Sequence, residues 1–388
     1  MIAEGARQLA KGQRPTLAGL LLTPGNALKV TQQLANLRGA AMKMGQLLSM
    51  DSGEFLPPAL AEIMARLRAD ATPMPPAQLQ TVLARSWGKD WRQQFERFDV
   101  RPIAAASIGQ VHRARHRDGR DLAIKVQYPG VRASIDSDVD NVATLVRLSG
   151  QLPSTIDIAP MLAEAKCQLH EEADYRREGQ CLARFGALLA DDADYVVPAF
   201  HGDLSTRDVL AMDFVGGVAV ESLVGAPQAV RDRVMALMIA LCLRELFTFR
   251  LMQTDPNFAN YRYDLATGQL ILLDFGATRA FDDDLVGNYR SLLRAGMAAD
   301  SSAARAAMLA IGLYDTATPA KHQAAILRLF DTAFAPLRAG GRFDFPANSM
   351  ATAVRDEGLS IAADRDFWHI PPIDVLFLQR KFGGLFLL

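Results

Sequence analysis

Cysteine is scarce in this chain of 388 residues: Cys167, Cys181 and Cys242 are the 3 it carries. They show neither Cys-x-x-Cys spacing nor a metal-binding pattern, so they are expected to be ordinary buried thiols in a reducing compartment. Charge of one sign is lacking as well. Lys and Arg total 42 against 43 Asp and Glu, a net charge of −1, which gives no global electrostatic basis for binding nucleic acid or an anionic membrane. There is no long apolar run. The most apolar window, Val234 to Leu243, is stopped by Arg244 and Glu245, well short of the roughly 20 apolar residues a spanning helix needs. The chain opens without a secretory signal pattern, and it holds no internal repeat or low-complexity segment. What remains is a 50% hydrophobic chain of a length that makes two lobes or domains, expected to be soluble. Arginine outweighs lysine and alanine is frequent, a balance that suggests a bacterial source.

The residues that carry chemistry begin at Gln253-Thr254-Asp255-Pro256-Asn257, with Asn260 five positions after Asp255. The apolar run Leu270 to Leu273 then ends in Asp274-Phe275-Gly276. One carboxylate to orient an attacking hydroxyl, and a second carboxylate with an amide oxygen as hard ligands for magnesium, make the catalytic half of a protein-kinase-like site. A turn and a strand end would account for either motif alone; the spacing joins them. Upstream, Ala104 to Val111 reads AAASIGQV. On the kinase phosphate-loop pattern Gly109 takes the third glycine and Val111 the valine, while Ala104 and Ala106 stand where glycines are usual. Lys125 follows in the strand-like run Leu122-Ala123-Ile124-Lys125-Val126, where it would reach nucleotide phosphates. Taken alone, that run is a half-buried strand with a solvated lysine.

In this order and spacing the chain resembles the UbiB family of atypical kinases, which includes the mitochondrial coenzyme Q biosynthesis kinases. Four motifs carry the resemblance beyond ordinary kinases: Lys43-Met44-Gly45-Gln46, the alanine-rich Ala104-Ala105-Ala106-Ser107, Glu172-Ala173-Asp174, and the Gln253 to Asn257 run. It covers about residue 25 to the C-terminus. The runs QYPGV, CLREL and LLDFGATR favour the coenzyme Q kinase branch. The resemblance implies that Asp255, Lys125 and Glu178 are catalytic and that Asn260 and Asp274 bind metal. Nucleotide would be met by Ala104, Ala105, Ala106, Ser107, Lys125, Glu172 and the connector Met212-Asp213-Phe214-Val215. Lys43 and Gln46 would fold over that site. On residues alone, Glu171, Glu172 and Glu178 all remain open as the partner of Lys125; the family pattern selects Glu178. The implied cofactors are ATP or ADP and Mg2+. The implied partners are a lipid or quinone-precursor molecule, quinone-biosynthesis proteins and a peripheral membrane contact, with no nucleic acid. The implied location is cytoplasmic or peripheral at the inner membrane.

The expected fold class is α+β, a protein-kinase-like two-lobe fold with an N-terminal helical extension. Residues 1–75 would form that extension, 76–215 the N-lobe and 216–388 the C-lobe. Helices are expected at about 27–50, 59–68, 78–87, 133–148 and 161–189. Strands are expected around the alanine loop and the Asp118-Gly119 turn, and from Val196 to Val215. Gly216-Gly217 would serve as a hinge, and the remainder would be mainly helical apart from catalytic strands near 260–275.

Two departures from ordinary kinases bear on substrate. Gln253-Thr254 replaces the usual His-Arg, so a phosphorylated activation loop would lack its charge partner. After Gly276 no Ala-Pro-Glu motif follows; the chain runs into Asp282-Asp283-Asp284 and a helix. With the N-terminal cover, this disfavours a conventional serine/threonine kinase. It leaves ATP hydrolysis, phosphorylation of a small or lipid-like molecule, or a nucleotide-gated lipid-binding scaffold without turnover.

Overall fold

The computed structural model describes residues 73–148 (apart from Ser107), 159–345, 350–363, 369 and 371–386. The expected helices at 27–50 and 59–68, and with them Lys43 and Gln46, lie outside the described residues, as does Ser107. The rest divides into two compact units. One holds the described residues through Val234 together with Asn257–Ala277; the other holds Met235–Pro256 and the described residues from Thr278 onward. The division falls inside a helix.

The first unit opens with α1 (Pro76–Trp87), started by proline at its first position and buried along Leu79, Val82 and Leu83, the three- and four-residue spacing of one helix face. A sheet of five antiparallel strands follows: β1 (Phe95–Phe98), β2 (Ala104–Ala105), β3 (Gly109–His116), β4 (Asp121–Gln127) and β6 (Val209–Asp213). Its order is β1-β3-β4-β6, with β2 on β3. The β3–β4 hairpin turns at Asp118-Gly119. Gly119 takes φ +97°, a conformation glycine supplies without steric cost, and Asp118 Oδ1 accepts the Arg120 N–H at 3.1 Å. β4 is central, with Leu122, Ile124 and Val126 fully buried. They join α1, Trp91 and Phe95 in one core.

Past α2 (Val131–Leu148), the single helix expected at 161–189 is two, α3 (Ala159–Glu172) and α4 (Tyr175–Leu188). The cause is Asp174, whose carboxylate accepts the N–H groups of Arg176 at 3.0 Å and Arg177 at 3.4 Å and so starts a new helix. The alternating strands expected from Val196 to Val215 reduce to β5 (Tyr195–Val196) and β6, the segment between them being spent on turns. β7 (Val218–Ala219), β9 (Tyr261–Asp264) and β10 (Gln269–Leu272) join β5 in a second sheet, ordered β5-β10-β9-β7.

The helix α5 (Gln228–Arg244) leads into the second unit, which contains a π-helical turn at Glu245–Phe249 and a two-stranded ribbon of β8 (Leu251–Gln253) with β11 (Thr278–Ala280). Its helices are α6 (Asp283–Ala298), α7 (Ser301–Ile311), α8 (Ala320–Ala339), α9 (Met350–Ala363) and α10 (Ile373–Phe386). Asp282, first of the acidic triplet, caps α6 by accepting the Leu285 N–H at 2.7 Å, which accounts for the carboxylates at that helix start. Beyond residue 217 the chain carries more strand than the sequence suggested, because β7, β8 and β11 are too short to show a period. Cysteine burial also departs from expectation. Only Cys242 is buried; Cys181 is half-buried and Cys167 exposed. Among the described residues no helix is long and apolar enough to cross a membrane.

Candidate active site

In the first unit the sequence-remote residues Lys125, Glu178 and Asp274 converge. Lys125 Nζ donates to both oxygens of Glu178, at 2.9 and 3.0 Å, and to Asp274 Oδ2 at 3.0 Å. Each arrives by a local rule. β4 is buried on both faces, so its alternation turns Lys125 away from the Leu122-Ile124-Val126 side. The Asp174 cap places Glu178 in the first turn of α4, where its N–H donates to the Asp174 carbonyl at 3.1 Å. Asp274 follows β10 and is fixed by its own Gly276 N–H, which donates to Oδ1 at 2.9 Å.

Asn260 is delivered by the β9–β10 hairpin. Leu272 pairs with Tyr261, and the Leu273 N–H donates to the Asn260 carbonyl at 2.9 Å. The two expected metal ligands therefore sit at one end of a ribbon although fourteen positions separate them in the chain. Glu172, the last residue of α3 and 6% exposed, reaches the same place. A β-carbon on Gly276 would meet Asp274 Oδ1 at 3.3 Å and Glu172 Cγ and Glu178 Oε2 at 3.6 Å.

Electrostatics follow from burial and charge count. Burial alone would lower the Lys125 pKa, but Asp274 and Glu178 outweigh it and hold the ammonium well above its ordinary value. Burial raises Glu178, against the pull of Lys125. The aromatic ring of Tyr175 lies 5.1 Å from Lys125 Nζ, and burial pushes its phenol up. Lys125 thus faces two carboxylates within 3.0 Å.

The alanine loop is a closed hairpin. Ala104 pairs with Val111 and Ala105 with Gln110, and the Ala106 N–H donates to the Gly109 carbonyl at 2.9 Å. Gly109 is required by packing: a β-carbon there would press on the Val126 carbonyl oxygen and lie 2.7 Å from the Tyr175 hydroxyl. In the connector, Met212 is buried within β6. The N–H groups of Asp213 and Phe214 donate to Ala199 O at 3.0 Å and Asp121 O at 2.8 Å. The Asp213 carboxylate is engaged by His201 Nε2 at 2.8 Å, and Arg113 stacks over Phe214 at 4.0 Å. Val215 follows, half-buried. Gly217 has φ +80°, and a β-carbon there would meet the Tyr263 carbonyl oxygen at 2.9 Å, so a tight approach to β9 demands that glycine.

Asp255 lies in the second unit, just past β8. Arg380 of α10 donates to its Oδ1 at 3.1 Å. Beside it, Lys381 Nζ donates to Gln253 Oε1 at 3.1 Å and lies 3.9 Å from Glu245 Oε2. Glu245 Oε1 in turn accepts the Gln253 N–H at 3.2 Å. Burial raises the Glu245 carboxyl to about 7, against Lys381 and that N–H. Sequence reasoning missed Arg380 and Lys381, although two adjacent cations inside the apolar run Val375 to Phe386 were a signal. It also missed Arg177, whose Nη1 donates to the Gly276 carbonyl at 3.0 Å.

Residues 66–308 match the ABC1 atypical kinase-like domain. The chain belongs to the ABC1 atypical kinase-like family. It is 39% identical to the mitochondrial atypical kinase COQ8B of Rattus norvegicus, over 94% of this chain and 69% of that one. To the mitochondrial atypical kinase COQ8 of Saccharomyces cerevisiae it is 36% identical, over 100% of this chain and 77% of the relative. Among solved structures it resembles Rv3197 of Mycobacterium tuberculosis, determined with erythromycin. That similarity has a TM-score of 0.60 at 23% identity and covers 93% of this chain and 90% of the other. The ABC1 assignment bears out the resemblance to UbiB atypical kinases, the α+β kinase-like fold and the phosphotransferase class read from the motifs.

Proposed function

We propose that this ABC1 protein binds Mg-nucleotide at the Lys125–Glu178–Asp274 cluster and transfers the terminal phosphoryl group of ATP to water or to a small lipid-like acceptor. The observation that carries the reading is the triple contact of Lys125, at 2.9 and 3.0 Å to Glu178 and 3.0 Å to Asp274. A buried lysine paired with a glutamate, beside the aspartate of an Asp-Phe-Gly triplet, supports the reading because kinases use that pair to hold phosphates and that aspartate to bind the metal.

The residues fit magnesium in the manner that ion prefers. Mg2+ usually binds through one or two protein ligands plus phosphates and water. Asp274 and Asn260 supply that number. When bound, the ion would neutralise charge on the phosphates. Lys125 would hold the α- and β-phosphates, with Glu178 fixing its direction. Asp255 would orient the attacking oxygen and take its proton as the bond from phosphorus to the ADP oxygen breaks. Glu172 and the alanine loop, Ala104 to Ser107, would border the phosphates. Met212 to Val215 would meet the adenine through backbone groups other than the Asp213 and Phe214 N–H. Lys43 and Gln46 would cover the site, which argues against a peptide substrate.

The coenzyme Q kinase resemblance extends the proposal to ubiquinone or related isoprenoid-lipid metabolism. Quinone-biosynthesis proteins and a peripheral membrane contact would be its partners. The other reading, a nucleotide-gated lipid-binding scaffold, predicts tight nucleotide binding without turnover. The test is phosphate release from Mg-ATP by wild type and Asp274→Asn, with and without quinone-precursor mimics. Metal-borne charge stabilisation of several kcal/mol corresponds to about 10³-fold in rate, so Asp274→Asn is expected to lose about that factor and its magnesium-dependent thermal shift. Equal turnover in both proteins would overturn the site; binding without turnover in wild type would favour the scaffold.

A further inference from the structure

The last helix, α10, lies beyond residues 66–308 that define the family domain, yet it reaches the strand leading to Asp255 at consecutive points. Lys381 contacts Gln253 at 3.1 Å, Arg380 contacts Asp255 at 3.1 Å, and Gly384 is so close to Pro256 that a β-carbon would press into the proline ring. The near end of the helix is pinned by the ion pair of Asp374 with Arg279 of β11, whose guanidinium also lies 4.7 Å from the centre of the Phe377 ring. Val375, Phe377 and Leu378 are buried to 1% exposure or less. The helix is thus built into the second unit, and Arg380 is held on a fixed support.

We infer that Arg380 is a positioning residue for the Asp255 carboxylate, so that α10 belongs to the catalytic apparatus. The inference rests on the catalytic reading of Asp255 given above. A short aspartate has two side-chain torsions, and an orienting carboxylate must be held to within about half an ångström to be useful. Arginine suits that role because its guanidinium is permanently charged and planar, so it fixes the carboxylate in place and in orientation at every working pH. Adjacent Lys381 and Glu245 are 2% and 0% exposed and hold β8 itself. The Arg380 and Asp255 side chains are 8% and 16% exposed, the more open end of the same network. Autoinhibition, in which the guanidinium masks Asp255, fits less well, because a helix buried along one face has no cheap route of release.

The test uses the full chain with Arg380→Gln, Arg380→Lys, Phe334→Ala and Asp255→Asn, and reads kcat and KM for Mg-ATP, Mg-ADP affinity and Tm. Misplacing a catalytic group by about 1 Å costs up to about 10²-fold in rate. Arg380→Gln is expected to lower kcat by that order, leaving KM and Mg-ADP affinity unchanged. Arg380→Lys should show an intermediate loss, and Arg380→Gln should add nothing in the Asp255→Asn background. Phe334→Ala, which opens the packing of α8 against Gly296 and lies outside α10, should lower Tm but spare kcat. Unchanged or raised kcat in Arg380→Gln, or an equal kcat loss in Phe334→Ala, overturns the inference. If Arg380→Gln does not fold, Arg380→Lys decides, and full kcat there overturns it. Should Asp255→Asn retain full turnover, the catalytic reading of Asp255 is what fails.

Discussion

Lys125 and Lys381 are both buried, one in each compact unit, and they are held for different ends. Lys381 faces one carboxylate, Glu245 at 3.9 Å, and one amide oxygen, Gln253 at 3.1 Å. Lysine and glutamate balance, and all three residues are 2% exposed or less. Such a sealed pair holds a strand in register and leaves nothing for a ligand to do. Lys125 instead faces two carboxylates at 3.0 Å or closer, and the Asp274 side chain is 32% exposed. What separates the two is access: a ligand can reach the Asp274 carboxylate, whereas Lys381 is sealed.

The sharpest way to break this contrast is a double-mutant cycle on the open pair. Truncating one partner of a buried, hydrogen-bonded charge pair typically costs about 2–5 kcal/mol. Lys125→Ala and Glu178→Ala should each lose Mg-ATP affinity on that scale, and the double variant should lose no more than either alone. Isothermal titration of the three variants measures the coupling; additive losses would mean that Glu178 does not act through Lys125.

The sealed pair should show itself in stability as a function of pH. Glu245 is raised from an ordinary 4.5 to about 7 by burial. A raised folded pKa means the protonated form is favoured in the fold. Its contribution is complete below 4.5 and is lost as pH rises through about 7, roughly 3 kcal/mol at 1.36 kcal/mol per unit. Glu245→Gln, which mimics the neutral acid, should remove that share of the decline. Glu178, raised by burial in the same way, will leave part of the slope in place. Urea unfolding at several pH values checks this, and parallel curves for the two proteins would show that Glu245 does not titrate as described.

How much of this was legible in sequence depended on whether a residue's role is local. Asp274 and Asn260 could be read because kinase chemistry fixes residue types at short spacing, and the β9–β10 hairpin keeps both at one end. Lys125 was legible only through its order and spacing with the alanine loop and the downstream motifs, since the strand-like run around it alone would suit a solvated lysine. Glu178 was not, on residues alone: Glu171, Glu172 and Glu178 were equivalent until the Asp174 cap divided the helix and set which glutamate meets β4. Gly109 was read as a phosphate-loop glycine, and its close packing on Val126 and Tyr175 could not have been seen, since both neighbours are distant in the chain. The Arg380–Asp255 contact spans 125 positions, and no local period encodes such a pairing.

The smallest effect concerns the alanine loop, and it asks whether the open site is tuned from its rim. The Ala106 N–H is already committed to the Gly109 carbonyl at 2.9 Å, so presenting it to a phosphate requires the turn to open. Among the described residues only Arg250 and Ala299 are non-glycines with positive φ, so Ala106 rests in ordinary backbone and glycine would gain nothing in the closed turn. In the open turn glycine's extra freedom is worth about 0.5–1 kcal/mol, which is roughly 2–5-fold in affinity. The terminal phosphate of ATP brings extra charge and acceptor oxygens, so the triphosphate should benefit more than the diphosphate. Ala106→Gly is therefore expected to move the ATP-to-ADP affinity ratio toward ATP by about that factor. Titrating both nucleotides with magnesium against both proteins measures it. If the ratio is the same in each, the closed turn does not set nucleotide preference, and selectivity must come from the Lys125 cluster itself.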